Sequence, residues 1–180
     1  MKNARYWIDR YHIPIENIAS SLPTAGFPLA YQGFLENLDL TGKLIIVGHG
    51  NSSPPLLGGV IKHYSPRELV SFLRTNCGLR EAGLVSFKAC ELGIGSFLYD
   101  FKKEMDMRSV RFGGCVGYKG IARTTEYGDA IGVLDFLRKD VFFNVFGKNS
   151  DSERVTIVKG NAPVPIPYGN NARFQYVRDI

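Results

Sequence analysis

The chain has 180 residues, a formal net charge of +5, 44% hydrophobic and 22% charged residues, and three cysteines. That length suits one domain able to bury its own core, and the composition excludes a disordered, collagen-like or disulfide-framework chain. No apolar run approaches the ~20 residues that cross a bilayer, so no membrane span is expected, and the basic residues are dispersed from Lys2 to Arg178, which speaks against a nucleic-acid surface.

The amino terminus begins on a basic stretch, Met1 to Trp7, but Asp9, Arg10, His12 and Glu16 interrupt any signal-peptide core. Tyr6 to Ile8 reads as one weak strand. Lys43-Leu44-Ile45-Ile46-Val47-Gly48 is a β-branched, almost wholly apolar run, the pattern of a strand covered on both faces. Asn51 to Tyr64 is rich in Ser, Pro and Gly and reads as a long loop. Ser65-Pro66-Arg67-Glu68 then places an N-cap serine, a proline at the first helical position and a glutamate that completes a capping box. The helix it opens carries Leu69, Val70, Phe72 and Leu73 and stops at Asn76-Cys77-Gly78. A second strand, Gly83 to Ala89, ends at Cys90, and the resulting strand, helix, strand unit predicts parallel strands with a right-handed crossover.

Phe97, Leu98, Phe101 and Met105 fit one face of a further helix, within Gly95 to Asp106, and Ser109 to Tyr118 reads as a Gly-interrupted strand. Ile131, Leu134, Leu137 and Val141 suggest a helix over Glu126 to Phe143, Arg154 to Lys159 a last strand, and Pro163 to Pro167 an extended segment. No repeat or internal boundary is visible, so residues 1–180 are read as a single domain.

In open parallel sheets, functional groups gather beyond the carboxyl ends of the strands. His49 follows the Leu44 to Gly48 strand directly and Cys90 follows the Leu84 to Ala89 strand. If those strands are neighbours, an imidazole and a thiol meet at one rim. A thiol with an ordinary pKa of about 8.5 is mostly protonated at neutral pH, and the thiolate is the nucleophile. A nearby imidazolium and the positive end of the following helix would favour the thiolate, and His49 can then protonate a leaving group. Gly50 permits close approach and can offer its backbone N–H to an oxyanion.

The strings Leu44-Ile45-Ile46-Val47-Gly48-His49-Gly50 and Leu84-Val85-Ser86-Phe87-Lys88-Ala89-Cys90 resemble the two signatures of the caspase-like cysteine peptidases. That group includes caspases, clostripain, gingipains, legumain and the autoprocessing protease domains of large bacterial toxins. The likeness is greatest to the toxin domains, since a Gly-rich loop, a helix opening Ser65-Pro66-Arg67-Glu68-Leu69 and a Cys-ending strand follow the His-Gly in the same order, over about residues 43–120. The resemblance implies a caspase-like three-layer α/β sandwich, with a mostly parallel central sheet flanked by helices. It implies a cysteine endopeptidase acting on a protein or peptide substrate, either autoprocessing or a bacterial effector. Cys90 would be nucleophile, His49 its partner, and the N–H groups of Gly50 and Cys90 the oxyanion hole. The chemistry needs no cofactor. Activation by inositol hexakisphosphate would be carried over from the toxin domains, without a lysine or arginine nominated for it. Only 42 residues precede Lys43, so the early strands of such a fold are compressed or missing.

An odd cysteine number fits a reducing compartment, the cytoplasm or the host cytosol of a delivered effector. Two other functions use the same residues: a non-catalytic caspase-like module that holds a protein at this rim, and a Cys-His acyltransferase or deamidase. Cys115, inside Gly113 to Gly117, reads as structural; Cys77 as exposed or half-buried past a helix end; His63 as a solvated loop residue; and Glu91 as a helix-start carboxylate. His12 carries no signal. The cysteines and histidines lack metal-ligand spacing, and Gly93-Ile94-Gly95 lacks the third glycine of a dinucleotide loop because Leu98 stands there.

Overall fold

The computed structural model describes residues 2–20, 27–58, 62–120, 122–125, 128–131 and 155–164. In chain order the elements are helix α1 (Lys2–Tyr11), a 3-10 turn (Ile15–Asn17), and strands β1 (Lys43–Val47), β2 (His49–Ser52), β3 (Pro55–Gly58) and β4 (His63–Tyr64). Helix α2 (Pro66–Ser71) runs into a π-type turn (Phe72–Asn76), followed by β5 (Glu81–Ala82), β6 (Leu84–Lys88) and helix α3 (Phe97–Met107). Strands β7 (Arg111–Phe112), β8 (Gly114–Tyr118), β9 (Ala122–Thr125), β10 (Gly128–Ile131) and β11 (Val155–Lys159) complete the order.

The central sheet has the order β1-β6-β8-β11. The first three strands are parallel and β11 closes the edge antiparallel. The fold is therefore mixed α/β with a mostly parallel central sheet. Every residue of β6 and β8 is buried, as expected of strands covered on both faces. Side chains alternate between faces along a strand. Val85 and Phe87 point toward α3, where Phe87 meets Phe97 and Phe101 edge to face at centroid distances of 5.5 and 5.0 Å. These rings are fully buried, each contributing about 1.5–3 kcal/mol of hydrophobic stabilisation. Ser86 and Lys88 point the other way, where Trp7 of α1 lies over Lys88. Helices thus flank both faces.

Ser65 caps α2 as its sequence predicts: its hydroxyl accepts from the Glu68 N–H at 3.4 Å, and the Glu68 carboxylate accepts from the Ser65 N–H at 2.9 Å. At the amino end of the sheet, Gly83 separates β5 from β6. Its N–H donates to the carbonyls of Asp39 and Gly42 at 3.1 and 2.8 Å, and a Cβ there would run into the Leu40 carbonyl.

Three expectations change. Tyr6 to Ile8 is helical, because the four-residue spacing of Trp7 and Tyr11 stacks their rings at 5.6 Å and seats Trp7 on Lys88, packing that overrides β propensity. Asn51 to Tyr64 contains strand rather than only loop: β2, β3 and β4 form an antiparallel sheet. Its Ser and Pro residues make the turn, where the Asn51 carboxamide both accepts from Ser53 N–H and donates to the Ser53 carbonyl. Within the helix expected over Glu126 to Phe143, residues Gly128–Ile131 are a strand paired with β9, as the internal glycines foreshadowed. The rest of that span lies outside the described residues, as do residues 165–167 of the Pro-rich segment. No helix among the described residues is long and apolar enough to cross a membrane.

Candidate active site

Strands β1 and β6 are parallel neighbours, with Val47 opposite Lys88. The pairing continues one residue further, where Gly48 N–H donates to the Lys88 carbonyl at 3.4 Å. His49 and Cys90 stand at equivalent positions just beyond it, two residues past that matched pair. The rim geometry follows from the hydrophobic patterning: each apolar run ends at its own reactive residue, and burial of both runs in one sheet sets their ends side by side. His49 is exposed and Cys90 half-buried.

Gly50 explains how close the two segments come. A side chain there would collide with the Cys90 carbonyl and meet Leu92 at 3.0 Å, so only glycine lets the chain after His49 lie against Cys90. Gly50 also stands opposite Leu57 in the β2–β3 ladder, which anchors it from the other side. His49 and His63 both stand opposite Gly58, one on each flanking strand, so they occupy one row across the β2–β3–β4 sheet. Both are exposed. His63 is a strand residue rather than a loop residue.

The turn that carries Cys90 runs from Cys90 to Ser96 before α3 begins at Phe97. Cys90 and Glu91 are therefore not at a helix start, and a helix dipole, which acts within the first turn, is not supplied by their place in the chain. The turn is held by other bonds. Glu91 N–H donates to the Gly120 carbonyl at 3.1 Å and Gly93 N–H to the Tyr118 carbonyl at 2.7 Å, while the Thr156 hydroxyl donates to the Gly93 carbonyl at 2.6 Å. Glu91 itself has φ +57°, the left-handed region that side-chain-bearing residues rarely adopt, and its carboxylate accepts from the Ser52 hydroxyl at 3.0 Å.

Two residues before Cys90, Lys88 is 7% exposed. Its ammonium donates to the Tyr118 hydroxyl at 2.6 Å and lies 3.9 Å from the Trp7 ring centroid, a cation–π contact that holds α1 near this rim. The sequence carried a signal for Lys88, a lone charge in an otherwise apolar strand, and for Glu91, a carboxylate beside the thiol. It carried none for Ser52 or Trp7 as their partners.

The other cysteines are in the core. Cys115 is fully buried on β8, and burial, weakly opposed by the Lys102 charge, pushes its thiol far up. Cys77 is buried too, not exposed past a helix end, because the turn after α2 folds it inward; burial pushes its thiol up to about 11. No disulfide joins the three. A hollow of about 230 Å³ between the start of α2 and α3, lined by Ser65, Pro66, Arg67, Asp100, Lys103 and Glu104, contains neither His49 nor Cys90. No family model, no curated protein and no solved structure significantly matches the chain.

Proposed function

We propose that the chain is a cysteine endopeptidase of the caspase-like kind, with Cys90 as nucleophile and His49 as its acid–base partner. The observation that carries this reading is the parallel pairing of β1 with β6, which brings His49 and Cys90 to one edge of the sheet, with Gly50 against the Cys90 carbonyl. Supporting it are the exposure of His49, the partial exposure of Cys90 and the burial of the other two thiols. In the reaction, the Cys90 thiolate attacks the scissile carbonyl, and the oxyanion is met by N–H groups at Gly50 and Cys90. His49 gives a proton to the departing amine, and water hydrolyses the thioester. A caspase-like sandwich accommodates the mostly parallel sheet with helices on both faces. The substrate is a protein or peptide, and the site of action a reducing cytosol, the cell's own or one into which the chain is delivered.

Digestion of a peptide library by the wild-type chain, with and without inositol hexakisphosphate, tests both the activity and the proposed activator. Cys90→Ala and His49→Ala should each abolish cleavage while the circular dichroism and unfolding midpoint stay unchanged. Cleavage undiminished in folded Cys90→Ala overturns the reading. Transfer of the acyl group to an added amine, or deamidation without peptide cleavage, identifies the dyad with the acyltransferase or deamidase reaction instead.

A further inference from the structure

Glu91 follows Cys90 directly, and Ser52 lies three residues beyond His49. Their side chains meet, the Ser52 hydroxyl donating to Glu91 Oε2 at 3.0 Å, although 39 positions separate them in sequence. Taking His49 and Cys90 as the reacting pair, we infer that Glu91 is a positioning residue whose carboxylate, through Ser52, clamps the His49 hairpin to the Cys90 turn.

Three features point this way. The bond joins the two strand extensions immediately past the reactive residues, on a stretch where Gly50 already lies against Cys90 and where the Ser52 carbonyl is 3.7 Å from a Cβ built at Gly95. The Glu91 backbone is held at φ +57°, a conformation that costs about 1–2 kcal/mol for a residue with a side chain. Support for it is present at both ends of the residue, at its N–H through Gly120 and at its carboxylate through Ser52. The peptide that Glu91 fixes is the one joined to Cys90, so the clamp sets where the thiol and the Cys90 N–H point relative to His49. The contribution of Glu91 is positional, made through the oxygen that accepts from Ser52 rather than through its charge.

The test is the second-order rate of Cys90 alkylation by iodoacetamide at pH 7, read by mass spectrometry, in wild type, His49→Ala, Ser52→Ala, Glu91→Ala and Glu91→Gln. Ser52→Ala and Glu91→Ala should each slow labelling by about ten-fold, a fraction of the ~100-fold loss that an ångström of misplacement brings, with an unchanged unfolding midpoint. Combining Ser52→Ala with Glu91→Ala in one chain should lose no more than either substitution alone, because the same bond is removed in all three. Glu91→Gln keeps the acceptor and should restore at least half the wild-type rate, an outcome that a charge or acid–base role for Glu91 does not give. If labelling is fast and His49-dependent but unmoved by Ser52→Ala and Glu91→Ala, the clamp is wrong and the dyad stands. If wild-type labelling is slow and insensitive to His49→Ala, the dyad itself falls and the clamp with it.

Discussion

The two ends of the central strands are closed in different ways. At the amino end, backbone bonds such as Gly83 N–H to Asp39 and Gly42, Gly113 N–H to Ala82 at 3.1 Å and Gly160 N–H to Gly113 at 2.8 Å are joined by the Asn161 carboxamide, which accepts from Phe112 N–H at 3.0 Å, and by the Arg111–Glu81 ion pair at 2.6 Å. At the carboxyl end, side chains carry much of the closure: Lys88 on Tyr118, Ser52 on Glu91, Thr156 on Gly93. The carboxyl end also holds the exposed His49 and the half-exposed Cys90.

The sharpest way to break this contrast uses the thiols, since Cys115 lies on β8 and Cys90 in the turn after the neighbouring strand β6. Reaching a core thiol requires opening that approaches global unfolding, on the order of 5–15 kcal/mol. Cys77 and Cys115 should therefore be alkylated at least about a thousand-fold more slowly than Cys90 in the native chain, and equal rates would mean the carboxyl end is no more open than the core. The sign of the pH effect follows from Cys77, whose folded thiol is pushed up to about 11. Its unfolded value is about 8.5, so above that pH the unfolded chain has lost a proton that the folded chain keeps. Stability is whole below about pH 8.5 and falls as pH rises toward 11. Urea midpoints measured from pH 8 to 11 check this, and Cys77→Ser should flatten that decline.

A next step compares equivalent damage at the two ends. Gly50→Ala drives a methyl group into the Cys90 carbonyl, and Gly83→Ala drives one into the Leu40 carbonyl. At Gly50 the displaced group belongs to the proposed nucleophile, so cleavage or Cys90 labelling should drop by about 100-fold. At Gly83 the overpacking should cost about 1–3 kcal/mol of stability while the rate per folded molecule is retained. If Gly83→Ala matched Gly50→Ala in its loss of rate, the ends would be coupled rather than separate.

How much of this was legible beforehand depended on the range of the interaction concerned. The β1 and β6 apolar runs, the Ser65 capping box and the α3 stripe are local patterns, and each gave the element it announced. The parallel pairing of β1 with β6 also followed, because a strand, crossover helix and strand has few ways to fold. Trp7 escaped notice as a helical anchor because its partner, Lys88, is far away in sequence. The β2–β3–β4 sheet was hidden since its turn residues outnumber its apolar ones. Cys77 was misplaced because the turn after α2 continues as a π-type turn that folds it inward, which no spacing rule indicates. The Ser52–Glu91 bond depends on both strand pairing and an unusual backbone angle, neither of which composition reveals.

The smallest effect tests whether the core face can be weakened without touching the rim. Helix α2 buries Leu69 and Val70 in the core, and its capping bonds join Ser65 to Glu68 within the same helix end. Ser65→Ala should lower stability by about 1 kcal/mol and leave His49-dependent labelling of Cys90 at its wild-type rate. The same substitution has a pH signature. The Ser65 N–H, and then the Ser65 hydroxyl, hold the Glu68 carboxyl below its usual range, with Lys62 adding a little. That stabilisation is present above the unfolded carboxylate value and is lost as pH falls through the lowered folded one. Removing the hydroxyl takes away part of the shift, so the unfolding midpoint of Ser65→Ala should decline less than that of wild type between pH 6 and pH 3. A change in Cys90 labelling in this variant would show that the capped helix and the Cys90 turn move together.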